Sequence, residues 1–263
     1  MRFLKFDSDK CTLCSECISK CPFQALSMES NGIEVGENCK MCGVCVKTCS
    51  TGAIRFEQKA GSADKTAWRD ILVYGEVEDG RVHPVVYELI GEARKLAAKV
   101  NYQVKIVMVG NEIKDLADEL LLYGVDQVYL YDHPGFAGFK VDCYTDAVAD
   151  CIAEIKPSVV LTGATPLGRS LAPRLATRFH TGLTADCTEL DIKNNTDMIQ
   201  TRPAFGGNIM AQIIIADARP QFATVRYKVM ERATRVENQT GEVIIREVSD
   251  DMVKSRIQVL EQT

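Results

Sequence analysis

Two short stretches of the sequence are crowded with cysteine. The first, CTLCSECISKCP, places thiols at Cys11, Cys14, Cys17 and Cys21, separated by two, two and three residues. The second, CKMCGVCVKTCS, repeats every cysteine 28 positions later, at Cys39, Cys42, Cys45 and Cys49. Because the whole spacing recurs at one offset, the two runs are an internal duplication. The chemistry open to such runs is metal binding through thiolate sulfur.

The spacing within each run is typical of a 4Fe–4S cluster in bacterial ferredoxins. Three thiolates in one tight loop can bind three irons of a cluster, but the fourth iron needs a more distant sulfur. In two-cluster proteins that sulfur comes from the other run. We therefore predict two crossed ligand sets: Cys11, Cys14, Cys17 and Cys49, and Cys39, Cys42, Cys45 and Cys21. Pro22 follows the first run, whereas Ser50 stands at the equivalent place in the second and is predicted to tune hydrogen bonding.

Two structural zinc sites and a disulfide framework are the alternatives for these cysteines. Zinc usually takes two C-x2-C pairs separated by a longer loop, and the repeated x2 spacing fits that pattern poorly. The first residues, MRFLKFDSDK, lack the apolar region of a secretory signal. We therefore expect a cytoplasmic protein, in which disulfides are disfavoured.

The composition is that of an ordinary globular protein. The chain has 263 residues, 46% of them hydrophobic and 25% charged, with a net charge of −5. The negative charge argues against nucleic acid as a partner, and no apolar run of about eighteen residues predicts a membrane span.

The pattern along the chain predicts two domains joined by a linker. Equivalent apolar residues of the duplication are expected to form a small core under the clusters: Ala25 and Ala53, Leu26 and Ile54, Met28 and Phe56. Residues 1–58 are therefore predicted to be an α+β, ferredoxin-like two-cluster domain. Residues 59–67, KAGSADKTA, have the composition of a linker.

From residue 68 the sequence alternates between apolar strands and amphipathic helices. This alternation predicts an α/β domain with a mostly parallel sheet and helices on both faces. One helix is expected to span Pro84–Val100, and another to begin at Thr145 as its N-cap. After Leu183 the pattern turns to strands, which we interpret as an antiparallel extension of the sheet.

Smaller signals have mostly structural interpretations. The turn GATPLGRS, residues 163–170, lies between a strand and a helix and could bind phosphate, although an ordinary turn is expected. The remaining residues of possible chemical interest are expected to be capping or surface histidines, buried thiols and a packing residue: His83, His133, His180, Cys143, Cys151, Cys187 and Trp68. No motif for acid–base or nucleophilic catalysis is present, so we expect no substrate-converting site in this chain.

Residues 71–230 resemble the N-terminal domain of an electron transfer flavoprotein alpha subunit. The resemblance rests on three stretches: LTGATPLGRSLAPRLATRFHTGLTADCTEL, RPAFGGNIMAQI and ATVRYKVM. With its ferredoxin-like beginning, the chain is similar to alpha subunits of flavin-based electron-bifurcating complexes of anaerobes, notably that of caffeyl-CoA reductase. The resemblance implies that residues 68–230 form the alpha N-terminal domain. Residues 231–263 would lead to the hinge of a C-terminal FAD domain that this sequence does not contain.

The same resemblance implies a function and a set of partners. The subunit would relay low-potential electrons through two 4Fe–4S clusters, between an FAD at the interface with a beta subunit and an external ferredoxin. An acyl-CoA dehydrogenase-like reductase would take the other electrons. Arg169, Arg202, Gly206 and Gly207 are the residues expected to face the beta-subunit FAD, although both arginines could instead form surface ion pairs. A second FAD is implied only where the C-terminal domain is present.

Two other classes of function stay open from the sequence. The chain could be a ferredoxin-like carrier whose α/β domain docks a partner. It could also be a nucleotide-binding module with an iron–sulfur sensor, with ATP or AMP held at residues 163–169.

Overall fold

A computed structural model describes residues 2–29, 32–36, 38–58 and 64–257. The chain divides into two compact units, Met1–Gly61 and Ser62–Thr263. No helix among the described residues is long and apolar enough to cross a membrane. The predicted linker falls partly on residues 59–63, and the predicted hinge partly on residues 258–263, both of which lie outside the described residues.

The first unit consists of short strands and single-turn helices around the cysteine runs. Each run contains a short helix that carries its third cysteine, and the strands form two antiparallel pairs, β1 with β4 and β2 with β3. The elements are β1 (Arg2–Phe6), α1 (Glu16–Ser19), β2 (Leu26–Glu29), β3 (Gly32–Val35), α2 (Val44–Thr48) and β4 (Ile54–Gln58).

The core of the first unit follows the duplication only in part. Ala25, Ala53, Leu26 and Ile54 are buried as predicted. The prediction for Met28 is wrong, because 38% of this residue is exposed. Met28 lies two residues beyond Leu26 on a two-stranded ribbon, an arrangement that covers the side chains at its outer end poorly.

The second unit alternates strands and helices. Its elements are β5 (Ile71–Tyr74), β6 (Val77–Glu78), β7 (Arg81–Val82), α3 (Pro84–Val100), β8 (Val104–Gly110), α4 (Lys114–Leu121), β9 (Gln127–Asp132), α5 (Val141–Ile155), β10 (Val159–Gly163), α6 (Pro166–Arg178), β11 (Leu183–Cys187), β12 (Glu189–Ile192), β13 (Met198–Ala204), β14 (Ile209–Ile214), β15 (Gln221–Val225), β16 (Glu242–Ile245) and α7 (Asp250–Val253). The helix predicted at Pro84–Val100 is confirmed with the same bounds.

The centre of this unit is a seven-stranded parallel sheet in the order β11-β15-β10-β5-β8-β9-β16. Ile71 and Val73 face a core that includes α3 and α4, whereas Leu72 and Tyr74 face a core that includes α5 and α6. Side chains alternate between the two faces of a strand, so a continuous apolar run serves both cores. The predicted parallel sheet with helices on both faces is confirmed.

The expected antiparallel extension of this sheet is wrong in its details. β11 and β15 join the main sheet as parallel strands. β12, β13 and β14 instead form a separate three-stranded antiparallel sheet. Apolar patterning identifies strands but carries no information about their direction, and a crossover through α6 allows β11 to run parallel.

The predicted N-cap at Thr145 is also wrong. Helix α5 begins at Val141, one turn earlier, and the Thr145 hydroxyl donates to the Val141 carbonyl within the helix. A threonine hydroxyl can satisfy either role, because it reaches the carbonyl four residues back as readily as an amide ahead.

Residues 231–257 pack as part of the second unit. Strand β16 forms the edge of the main sheet beside β9. Farther along, the Ser255 hydroxyl and the Arg256 amide donate to the Asp142 carboxylate. The segment after residue 230 therefore completes the α/β domain over its described length.

Candidate functional site

The eight clustered cysteines surround two cavities in the first unit. The first cavity is lined by Cys11, Cys14, Cys17 and Cys49. The second cavity is lined by Cys21, Cys39, Cys42 and Cys45. The two cavities are the same size, with a volume of about 20 Å³ each. Each cavity thus gathers three thiols of one run and the last thiol of the other.

The backbone around both cavities repeats the same unusual conformation. Three pairs of residues at the offset of 28 have positive φ angles: Leu13 and Met41 (55° and 54°), Ser15 and Gly43 (60° and 78°), and Gln24 and Gly52 (49° and 65°). Alternation between right- and left-handed backbone conformations turns successive N–H groups toward one point and forms an anion-binding concavity. A cysteine-ligated iron–sulfur cluster is an anion, so the loops fit such a group.

Hydrogen-bond donors also reach the sulfur atoms directly. The Ala25 amide donates to the Cys21 sulfur at 3.4 Å. The Thr51 hydroxyl lies 3.4 Å from the Cys49 sulfur, and this contact together with nearby amides lowers the pKa of the Cys49 thiol. Donors of this kind stabilise the thiolate, which is the form that binds metal.

The central cysteines of the two runs are the most buried ones. Cys17 and Cys45 are 5% and 7% exposed, and burial raises the pKa of both thiols. Metal binding must therefore release their protons, since the ligand is the thiolate.

The arrangement of the cysteines shows whether the cavities suit a single metal ion or an iron–sulfur cluster. All eight cysteines are free thiols, and among the described residues no three His, Cys, Asp or Glu side chains converge to hold a single metal ion. In a 4Fe–4S cluster each cysteine binds a different iron, so its ligands surround the group instead of meeting at one atom. Four thiols around a cavity with inward amides therefore fit a cluster.

The other cysteines and the histidines have the structural roles predicted for them. Cys143, Cys151 and Cys187 are fully buried, and burial raises the pKa of each thiol. His83 and His133 each accept an amide hydrogen bond at the start of a helical segment. Trp68 packs against the core beside α5 and α6.

The turn at residues 163–170 is closed by the chain itself. The Thr165 side chain accepts from the Gly168 amide at 3.0 Å and donates to the Glu76 carboxylate at 2.6 Å. Glu76 is 2% exposed, and burial raises its pKa. A Cβ at Gly168 would lie 2.0 Å from the Gly163 carbonyl oxygen, so helix α6 is packed tightly against the end of β10. A buried carboxylate at this helix start leaves the turn unsuited to phosphate.

Three of the four residues predicted to face a flavin share one hairpin. Arg202 lies on β13, and Gly206 and Gly207 form the turn into β14 with φ angles of 69° and 93°. Arg169 lies on α6 instead, where its guanidinium forms an exposed ion pair with Asp186 at 3.0 Å. The surface ion pair considered for Arg169 is therefore present.

The hairpin also carries exposed apolar residues that the sequence reasoning missed. Phe205, at the turn, is 82% exposed, and Ile209 and Met210 are 54% and 53% exposed. Strand β14 forms one edge of its three-stranded sheet. Exposed apolar groups on an edge strand mark an interaction surface. The signal in the sequence was the run NIMAQIII, which has more apolar residues than one buried strand face requires.

Comparison with protein families identifies both units. Residues 71–251 match the electron transfer flavoprotein domain. Residues 3–64 match the 4Fe–4S dicluster domain.

Three similar bacterial proteins carry the names of electron-transfer or dehydrogenase subunits. The chain is 48% identical over 242 residues to "Lactate dehydrogenase (NAD(+),ferredoxin) subunit LctC" of Acetobacterium woodii, an alignment that covers 92% of this chain and 58% of the relative. It is 46% identical to "Electron transfer flavoprotein subunit alpha" of Thermoanaerobacterium thermosaccharolyticum, over 67% of this chain and 54% of the relative. It is 39% identical to "Acryloyl-CoA reductase electron transfer subunit beta" of Anaerotignum propionicum, over 74% of this chain and 61% of the relative. The chain thus spans about half to three fifths of the length of these curated relatives.

Proposed function

Because the chain belongs to the electron transfer flavoprotein family, we propose that it is the electron-transfer subunit of a cytoplasmic, flavin-based electron-bifurcating complex. In this role it relays low-potential electrons between ferredoxin and an FAD at the interface with a beta subunit. The observation that carries the proposal is the presence, in one chain, of two cysteine-lined cavities and an electron transfer flavoprotein domain.

The ligand sets of the proposal follow the two cavities. Cys11, Cys14, Cys17 and Cys49 hold one 4Fe–4S cluster, and Cys21, Cys39, Cys42 and Cys45 hold the other. Bound clusters supply one-electron transfer at low potential. The protein contributes thiolates, the Ala25 amide that donates to Cys21, and the burial of Cys17 and Cys45.

The second unit provides the surface for the flavin-bearing partner. The apolar residues of the β13–β14 hairpin dock the beta subunit, and Gly206 and Gly207 allow close approach because they have no side chains. Arg202 supplies positive charge toward the flavin of that partner, whereas the Arg169 guanidinium is already paired with Asp186 at 3.0 Å. A second FAD is part of the proposal only where a C-terminal FAD domain is present.

The acceptor of the other electrons is an acyl-CoA of the caffeyl-CoA type, reduced with NADH by a dehydrogenase partner. An acryloyl-CoA reductase subunit among the relatives supports an acyl-CoA. A second candidate is a complex that acts on lactate, because the relative named for lactate, NAD(+) and ferredoxin matches 92% of the chain. Steady-state assays of the native complex with caffeyl-CoA, acryloyl-CoA and lactate distinguish these candidates.

Neither alternative function accounts for both units. A ferredoxin-like carrier would not need a family-typical flavoprotein domain, and a purified native complex without flavin would favour it. A nucleotide-binding module is disfavoured by Glu76, whose carboxylate is buried at the only turn predicted to bind phosphate.

The relay is tested by deleting residues 1–58 from the full-length subunit in its complex. The deleted complex should keep its beta subunit and its flavins, and artificial dyes should still accept electrons from NADH. Reduction of ferredoxin by NADH should be lost. Ferredoxin reduction at the original rate, or dissociation of the beta subunit, would contradict the proposal.

A further inference from the structure

The two cysteine cavities have equivalent thiols but different linings. The first cavity is lined by polar residues at positions 12, 15, 16, 50 and 51: Thr12, Ser15, Glu16, Ser50 and Thr51. The second cavity has Lys40, Gly43, Val44, Pro22 and Phe23 at the same positions of the repeat. The duplication has therefore kept the ligands and diverged in what surrounds them.

The most direct of these differences reaches a ligand atom. Thr51 Oγ1 lies 3.4 Å from the Cys49 sulfur, which lines the first cavity. Phe23, the equivalent residue two positions after Cys21, has no hydroxyl and lines the second cavity. A thiolate bound to iron carries no proton, so the Thr51 hydroxyl must be the donor in the loaded protein.

Backbone amides act on both sulfur atoms. The Ala25 amide donates to Cys21 at 3.4 Å, and the amides of Ile54, Ala53 and Thr51 help to lower the pKa of Cys49. The hydroxyl of Thr51 is thus an additional donor that only the first cavity has among these equivalent positions.

A hydrogen bond to a ligand sulfur stabilises the more negative, reduced state of a cluster and so raises its reduction potential. Two charged residues oppose this effect: Glu16 lowers the reduction potential of a cluster in the first cavity, and Lys40 raises that of a cluster in the second. Both side chains are exposed, however, and water and salt screen their charges. The Thr51 contact is exposed as well, but it acts directly on a ligand sulfur at 3.4 Å, whereas the two charges act through solvent.

We propose that Thr51 donates a hydrogen bond to Cys49 and thereby gives the cluster in the first cavity a more positive reduction potential than the cluster in the second. When the protein takes up a single electron, the electron then resides mainly in the first cavity. The inference rests on the ligand sets of the proposed function.

The test is an EPR-monitored redox titration of the complete chain, with dithionite as reductant. Thr51→Val should shift the more positive of the two midpoint potentials downward and leave the other in place. Thr51→Ser, which keeps the hydroxyl, should retain the wild-type value. Thr12→Val is the matched control, because it removes a hydroxyl from the same cavity that makes no hydrogen bond to a cysteine sulfur in the described structure. It should leave both potentials unchanged.

The reciprocal variant tests the inference from the other cavity. Phe23→Thr places a hydroxyl beside Cys21 and should shift the more negative potential upward, even if Thr51→Val fails to take up its clusters. Unchanged potentials in Thr51→Val and Phe23→Thr proteins that retain their iron would overturn the inference and leave the proposed function standing. Wild-type protein that takes up no cluster at all would overturn both.

Discussion

The strongest prediction about stability concerns a buried ion pair at the base of the hairpin. The Arg219 guanidinium is fully buried and contacts the Asp197 carboxylate at 2.8 Å. Lys65, near the start of the second unit, contacts the same carboxylate at 2.7 Å. Asp197 immediately precedes β13, so this network fixes the strand that leads into the apolar hairpin.

The substitution Asp197→Ala removes the carboxylate and leaves the Arg219 charge buried. Breaking one partner of a buried pair costs about 3–5 kcal/mol. Arg219 also donates to the carbonyls of Ile215, Ala218 and Thr196, which keep part of its charge satisfied. We therefore expect a loss of about 3 kcal/mol in the free energy of unfolding, the lower end of that range.

The assay is urea unfolding of the second unit, followed by far-ultraviolet circular dichroism. Arg169→Ala is the matched control, because it breaks an ion pair with Asp186 in which the arginine side chain is 56% exposed. An exposed pair contributes about 0–1 kcal/mol, so the control should lose little stability. Equal losses in the two variants, or a loss below about 1 kcal/mol for Asp197→Ala, would refute the reasoning.

Three further predictions concern the crossed ligand sets, the titration of Asp197 and the close contact at Gly168. Cys49→Ser should damage the cluster of the first cavity and spare that of the second, and site-resolved spectroscopy showing the reverse would contradict the crossed ligation. Burial opposes ionisation of Asp197, but hydrogen bonds from Lys65 and Arg219 outweigh it and hold its pKa below the usual value. The contribution of Asp197 to stability should therefore be complete above about pH 4, its pKa in the unfolded chain, and be lost as the pH falls through its lower pKa in the folded chain. The unfolding midpoints of wild type and Asp197→Ala should then converge in acid, and midpoints that stay apart would be inconsistent with this. Gly168→Ala forces a Cβ to within 2.0 Å of a carbonyl oxygen and should cost about 1–3 kcal/mol in thermal or urea unfolding, whereas an unchanged midpoint would show that α6 can move away.

The parts of the molecule that could be predicted from the sequence are those determined by local patterns. The cysteine runs show their chemistry through spacing alone, and the offset of 28 recurs in the backbone angles of Leu13 and Met41. Helix α3 was predicted to its ends because Pro84 marks its start and its periodicity runs unbroken to Val100. The two-sided cores of the parallel sheet follow from strands that are apolar throughout.

The features that were not predicted depend on contacts between distant positions. The direction of β11 and β15 is set by which neighbours they pair with, and an apolar run does not encode this. Arg219 and Asp197 are 22 residues apart and each looks like an ordinary surface charge in the sequence. Thr51 is a different case, because it lies only two residues after Cys49, and the spacing alone does not show that its hydroxyl turns toward the sulfur.

The central claim, that two 4Fe–4S clusters give this flavoprotein subunit its electron relay, is tested most directly by the metal content. Iron, zinc and acid-labile sulfide should be measured on anaerobically purified protein, with the visible spectrum recorded in parallel. We expect about eight iron and eight sulfide per chain, with the brown absorbance of 4Fe–4S centres. Two tightly bound zinc ions without labile sulfide would contradict it.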